Sequence, residues 1–207
     1  MQVFMNRMGL MIDENFLYLG IFLGFVGNAI YLLEVLKGTT KPNRVSFTIW
    51  ALAPTITFFA QLDEGVGKQS LYTLSSSLSI FAILLASFIN KNAYWELKKS
   101  DYIYGLLALF GLVLWQVTDK PALAIIFALS ADALAAIPTG IKSYKFPKSE
   151  SFMGFSLPAL GAAITLLSIE NFVFEEYIYP LYIALVASLF ALFIKTEIGE
   201  TESKSSF

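Results

Sequence analysis

The chain has 207 residues, 57% hydrophobic, 15% aromatic and 14% charged, with 14 basic and 16 acidic side chains and a net charge of -2. Soluble domains carry about one quarter charged residues, so a mean hydropathy of +0.66 points to a bilayer as solvent and excludes a disordered chain. There is no basic field for nucleic acid, and with neither Cys nor His the sequence offers no disulfide, thiolate metal site or imidazole base. No cofactor and no metal is expected.

A helix that crosses the hydrocarbon core needs about 20 largely apolar residues. Seven stretches come near that length in chain order: 16–36, 45–62, 71–90, 102–118, 121–141, 152–170 and 177–195, divided by polar segments such as 37–44 and 91–101. Ahead of the first, Arg7, scattered apolar residues and the acids Asp13 and Glu14 lack the layout of a cleaved signal peptide, so this span is expected to stay in the mature protein. After the last, residues 196–207 form a polar tail.

Lys and Arg collect on alternate connections. Lys37, Lys41 and Arg44, then Lys91, Lys98 and Lys99, then Lys142, Lys145 and Lys148, then Lys195 and Lys204 make 11 of the 14. The other side keeps Arg7, Lys68 and Lys120. Cytoplasmic connections hold the basic excess, so the expected arrangement is an odd number of spans, N-terminus outside and C-terminus cytoplasmic, in a plasma membrane or a bacterial inner membrane.

An offset of 104 residues relates the first span to the fifth. Gly20, Gly24, Gly27, Asn28 and Tyr31 align with Ala124, Ala128, Ala131, Asp132 and Ala135, each set on one helix face. Pro54 and Pro158 keep the offset, and the connections 42–47 and 147–152 match at 105, as do Lys37 and Lys142. The expected fold class is an all-α integral membrane protein of seven transmembrane helices: a three-helix bundle in 1–90, a linker helix region in 91–120, a second bundle in 121–195 and a cytoplasmic tail in 196–207. Three is odd, so a single linking helix makes the two bundles parallel. Parallel repeats about the membrane normal are a transporter architecture, with the solute site near the midplane where they meet.

Asp132 falls about twelve residues into the fifth span, about 18 Å deep in a core of about 30 Å. At that depth an ionisable group is either functional, here as a proton carrier, or a hydrogen-bonded packing residue. Its mate Asn28 offers a donor and an acceptor to a solute, or an interhelical bond. Ser75, Ser76, Ser77 and Ser79 either line a wet cavity or permit close packing. Pro54, Pro138 and Pro158 each remove a backbone donor and are candidate hinges or static kinks. Glu34 and Lys37, one turn apart, form an i, i+3 ion pair or a cytoplasmic gate. Trp50, Trp115, Tyr102, Tyr104, Tyr177 and Tyr179 lie near span ends and read as interfacial anchors.

The stretch Ile137-Pro138-Thr139-Gly140-Ile141-Lys142-Ser143-Tyr144, followed by Gly154-Phe155-Ser156, resembles the PQ-loop motif, a Pro-Gln pair near the cytoplasmic end of a helix ahead of a basic loop. With the three-plus-one-plus-three plan, the chain resembles the SWEET and PQ-loop superfamily of solute carriers, and Lys41-Pro42-Asn43-Arg44-Val45-Ser46 is similar to a segment of bacterial members. The likeness implies a carrier of a small polar solute working by alternating access. Departures are specific: Glu34 stands where a fourth proline is expected, Thr139 replaces the Gln, and the Asn of sugar carriers on helices 3 and 7 gives way to serines, Ser188 on the latter. A ligand-binding sorting receptor or membrane assembly factor on the same fold is the second class, because fold does not fix function. An enzyme ranks last, since no metal-ligand cluster or phosphate loop is present. The partners expected are a small solute and the lipid bilayer, with association into a homo-oligomer left open.

A reporter fused after Phe207 is expected to be cytoplasmic and one ahead of Met1 exported. Two termini on one side would overturn the count of seven.

Overall fold

The structure is a computed structural model that describes residues 12–93, 95–117, 120–170 and 172–199. Among the described residues seven α-helices run in order: α1 (Phe16–Lys37), α2 (Arg44–Asp63), α3 (Ser70–Ile89), α4 (Lys99–Gln116), α5 (Pro121–Lys145), α6 (Phe152–Leu167) and α7 (Phe174–Thr196), with 3₁₀ turns at Lys91–Ala93 and Pro147–Ser149. No strand occurs among the described residues. Arg7, Lys204 and most of the expected tail lie outside them, as does the side chain of Trp115.

Local chemistry sets the helix ends. The Asn43 side chain accepts from the Val45 and Ser46 amides at 3.1 and 3.3 Å to start α2, and Ser151 accepts from the Gly154 amide at 2.9 Å to start α6. Pro121 opens α5, where a missing amide costs nothing. Gly38, at φ 79°, closes α1 in the left-handed region that a glycine adopts without strain. Helix α5 runs on to Lys145 rather than stopping near 141, and α7 starts at Phe174 rather than 177 and takes in Pro180.

Helices α1, α2, α3, α5 and α7 are long and apolar enough to cross a membrane. This marks a multi-pass membrane protein. Two helices depart from the expected spans. The first turn of α4 carries Lys99 and Asp101, and α6 has only 16 residues because Ser168 caps it where the sequence suggested continuation to 170. On the outer surface Phe22, Phe59, Leu78, Leu106 and Leu185 are more than half exposed, a coat that suits hydrocarbon rather than water.

Packing follows a regular scheme. Helix α3 lies against both α1 and α2, and α7 lies against both α5 and α6. Between these groups α1 packs on α6 and α2 packs on α5, while α4 rests on α5 and α2. Exchanging α1 with α5, α2 with α6 and α3 with α7 leaves the scheme of these six helices unchanged.

Small residues set the depth of the crossings. Gly20, Gly24 and Gly27 are buried on α1, and Ala124, Ala128, Ala131 and Ala135 on α5. A methyl group on Gly20 would lie 2.6 Å from the Gly161 carbonyl oxygen and would overlap the Thr165 hydroxyl. One on Gly27 would overlap the Pro158 ring. Gly24 differs, since the nearest atom to an added methyl is a Tyr72 ring carbon at 3.9 Å. Gly20→Ala is therefore expected to cost about 1–3 kcal/mol by overpacking, whereas Gly24→Ala is neutral or gains about 0.4–1 kcal/mol, as read by denaturant unfolding in detergent. Equal effects at the two positions would contradict the backbone contact at Gly20.

Candidate functional site

A cavity of about 70 Å³ lies where the two groups of helices meet. About 10–15 Å³ on this scale holds one water, so the space admits several waters or a group of a few heavy atoms. Its walls are largely aromatic: Tyr31 from α1, Phe47 and Trp50 from α2, Phe155 from α6, and Tyr179 and Phe190 from α7. The polar lining is Asn28, Ser76, Asp132 and Tyr182. No basic side chain lines it.

Asp132 is 4% exposed. The Tyr182 hydroxyl donates to its Oδ2 at 2.5 Å, and the Trp50 indole N–H donates to its backbone oxygen at 3.2 Å, tying α2 to α5. The other carboxylate oxygen has no hydrogen bond within the described protein. Asn28 lines the same cavity and its side chain likewise makes none. Tyr179 donates to the Ser76 hydroxyl at 2.9 Å, and Tyr72 donates to the Pro158 carbonyl at 3.2 Å.

The structure thus brings Asn28, Asp132, Ser76 and Pro158 to one space. Ser75 borders a smaller adjoining void of about 10 Å³ together with Asn28 and Ser76. Ser79 is turned away, donating to the Ser75 carbonyl of its own helix at 2.7 Å, and Ser77 holds α3 to α2 through the Ala51 carbonyl at 2.9 Å and Thr55 at 2.6 Å. Ser188 is exposed. Pro54 and Pro138 are buried behind the walls, and a fourth proline, Pro180, sits inside α7.

Glu34 and Lys37 do not pair. The turn at Gly38 brings Thr40 back over the helix, and its hydroxyl donates to Glu34 at 2.9 Å while Lys37 stays exposed. Trp50 and Tyr179 are not interfacial: both are buried, at 7% and 1% exposure, and line the cavity. Tyr102 does stand out from the surface, more than half exposed, and Tyr104 and Tyr177 are half-buried. Thr139, in the place of the motif's Gln, is buried with a hydroxyl that lacks a partner among the described residues.

Polar contacts cluster at both ends of the helix assembly, and some of them cross between the two groups of helices. At the end that carries Lys41 and Lys142, the basic end, a buried ion pair joins Lys142 to Glu150 at 2.7 Å, with side chains 1% and 0% exposed. Tyr31 donates to the other Glu150 oxygen at 2.7 Å, and the Lys142 ammonium also reaches the carbonyls of Lys41 and of Ser149, the latter at 3.3 Å. Trp95, from the linker, stacks its ring 4.6 Å from that ammonium, and the Lys41 amide donates to the Ser149 carbonyl at 3.1 Å. Such a pair tolerates burial because each charge meets several partners.

At the opposite end, Lys68 pairs with Glu14 beside Glu170, and the Ile12 amide donates to the Leu167 carbonyl at 3.3 Å. This contact is partly exposed. Its hydrogen bond with Lys68 holds the Glu14 carboxyl below the usual range, and a hydrogen bond to Glu14 holds that of Glu170 above it.

Sequence reasoning missed Tyr182, Lys142, Glu150 and the role of Tyr31. Tyr179 and Tyr182, one turn apart within an apolar run, were the available signal for the first. For Lys142 and Glu150 the eight-residue separation spans a helix end and a turn, so no helical spacing announces the pair.

No protein-family model matches the chain, and no curated protein or solved structure matches it either. The functional reading therefore rests on geometry.

Removing one member of a buried pair strands the other's charge. Lys142→Met is expected to cost about 3–5 kcal/mol in detergent unfolding, and Glu150→Gln added to it should recover much of the loss. A single substitution within about 0.5 kcal/mol of wild type would mean that water reaches the pair.

Proposed function

We propose that the chain is a membrane carrier or facilitator of a small polar solute, in which two three-helix units rock about a central site. The observation that carries this reading is the cavity holding Asp132 and Asn28 between two groups of helices with interchangeable packing, the groups being joined by the bonds of Tyr31 to Glu150, of Lys142 to the Lys41 carbonyl and of the Ile12 amide to the Leu167 carbonyl. A central cavity between two units joined by separable contacts is what alternating access requires. In this reading α4 and the short α6 complete seven spans, α4 is the linker of a three-plus-one-plus-three plan, the basic end is cytoplasmic and the N-terminus lies outside. The likeness of residues 137–144 to the PQ-loop motif and the offset of 104 residues between the Asn28 and Asp132 stripes support a place in the SWEET and PQ-loop superfamily. Pro54, Pro138 and Pro158, each inside a helix with its amide donor missing, are positions where such rocking can be absorbed.

Asp132 is the proposed coupling residue: a carboxyl that is charged when its cavity is wet and neutral when closed ties protonation to the face that is open. The purified protein in sealed vesicles is expected to take up at least one of a panel of sugars, amino acids, carboxylates and amines in a pH-dependent way. Asp132→Asn, nearly isosteric but fixed in charge, should remove that dependence, and Asn28→Ala should weaken solute binding. Uptake with unchanged pH dependence in the variant would make Asp132 a packing residue. No uptake of any panel member would favour the sorting-receptor or assembly-factor class.

A further inference from the structure

We propose that the cavity binds a small organic monocation, an alkylated ammonium ion, with Asp132 as counter-ion and the rings of Trp50, Phe155 and Phe190 as its walls. This deepens the carrier reading by naming the ligand class for the same cavity.

Charge comes first. Among the lining residues Asp132 is the one carboxylic acid, one of its oxygens has no hydrogen bond among the described residues, and no Lys or Arg lines the space. An anion would be repelled by the ionised carboxylate, and beside a protonated one it would find no basic side chain in the lining to offset its own charge. A cation supplies the missing partner.

The walls choose among cations. Phe155 meets Phe190 at 5.2 Å and 88°, and Trp50 at 6.5 Å and 82°, while Trp50 and Phe190 lie 6.1 Å apart. Rings set nearly at right angles form adjoining walls, and aromatic faces attract alkylated ammonium groups, whose charge is spread over apolar surface. A hard metal ion is poorly served. It takes six or more oxygen ligands, or near-ideal octahedral geometry, and no group of three His, Cys, Asp or Glu occurs among the described residues.

Neutral polyhydroxylated solutes fit less well for a different reason. Ser76 and Tyr179 are bonded to each other, Tyr182 is committed to Asp132, and Asn28 alone has a wholly uncommitted side chain. Most hydroxyls of a sugar would enter without partners, and each unpaired buried polar group is costly. An alkylated ammonium ion asks for little more than the carboxylate and the rings. The volume of about 70 Å³ suits a head group of a few heavy atoms.

Choline and 3,3-dimethylbutan-1-ol have almost the same shape and differ in charge, which makes them the probes. Equilibrium binding to the full-length protein in detergent is measured for each at matched ionic strength, for wild type and Asp132→Asn. Choline is expected to bind the wild type at least about tenfold more tightly than the neutral alcohol, and to lose that advantage in Asp132→Asn. If the variant does not fold, the comparison of the two probes on the wild type decides alone. Equal affinity for the two probes, or no choline binding, overturns the proposal. Transport is read separately: choline binding without uptake of any solute leaves the ligand class standing and removes the carrier reading, and uptake of a neutral solute without choline binding does the reverse.

Discussion

Backbone meets backbone where α1 crosses α6 at Gly20 and Gly161, and the rest of the architecture is arranged around that closeness. In hydrocarbon there is no water to expel between apolar helices, so association depends on van der Waals contact and a few hydrogen bonds, both of which reward near approach. Along the crossing, side-chain bulk rises from Gly20 through Gly27 against Pro158 to Tyr31, whose ring lies beside Gly154. Glycines admit a close partner all along this crossing, and the Tyr31 ring, packed on Gly154, also lines the cavity.

The polar contacts at the two ends of the helix assembly differ in physical kind. At the basic end the bonds that cross between the groups, Tyr31 to Glu150 and Lys142 to the Lys41 carbonyl, are made by charged groups out of water, so breaking them demands rearrangement or prompt hydration. At the opposite end the contacts that cross between the groups are the Ile12–Leu167 backbone bond and that of Glu14 with exposed Glu170, where water competes. The polar contacts are therefore more deeply buried at the basic end than at the other. Tyr31 belongs to both systems, since its ring walls the cavity and its hydroxyl holds Glu150.

Much of the helical layout was legible in the amino-acid order because bilayer thickness imposes a length and the helix imposes a period. The stripe of Gly20, Gly24 and Gly27 and that of Ala124, Ala128 and Ala131 could be read as buried faces, and both are buried. Asp132 and Asn28 could be picked out by depth alone. Rings were harder. Trp50 and Tyr179 lie close to the ends of apolar runs, where an aromatic residue ordinarily marks the interface, yet helix packing turns both inward. Glu34 was matched to Lys37 by helical spacing, but a turn that reverses at Gly38 supplied Thr40 instead. The Lys142–Glu150 pair depends on a fold-back after α5 that leaves no periodic trace. What was hidden was chiefly what tertiary direction decides: which of several nearby groups a side chain finds.

The brevity of α6 has a consequence for the surrounding lipid. Its 16 residues rise about 24 Å, short of a hydrocarbon layer of about 30 Å. At the end of the helix the Leu167 carbonyl, which would otherwise lack a partner, accepts from the Ile12 amide of the segment ahead of α1, so protein backbone occupies ground that a longer helix would have covered. In the seven-span reading, acyl chains bordering α6 would meet a shallower wall than those along α5, whose 25 residues rise about 37 Å. In that reading a bilayer fitted to the outline would thin along one flank and thicken or tilt along another, at an elastic cost that depends on acyl-chain length. Lipid thickness would then bear on the flank where α1 and α6 meet.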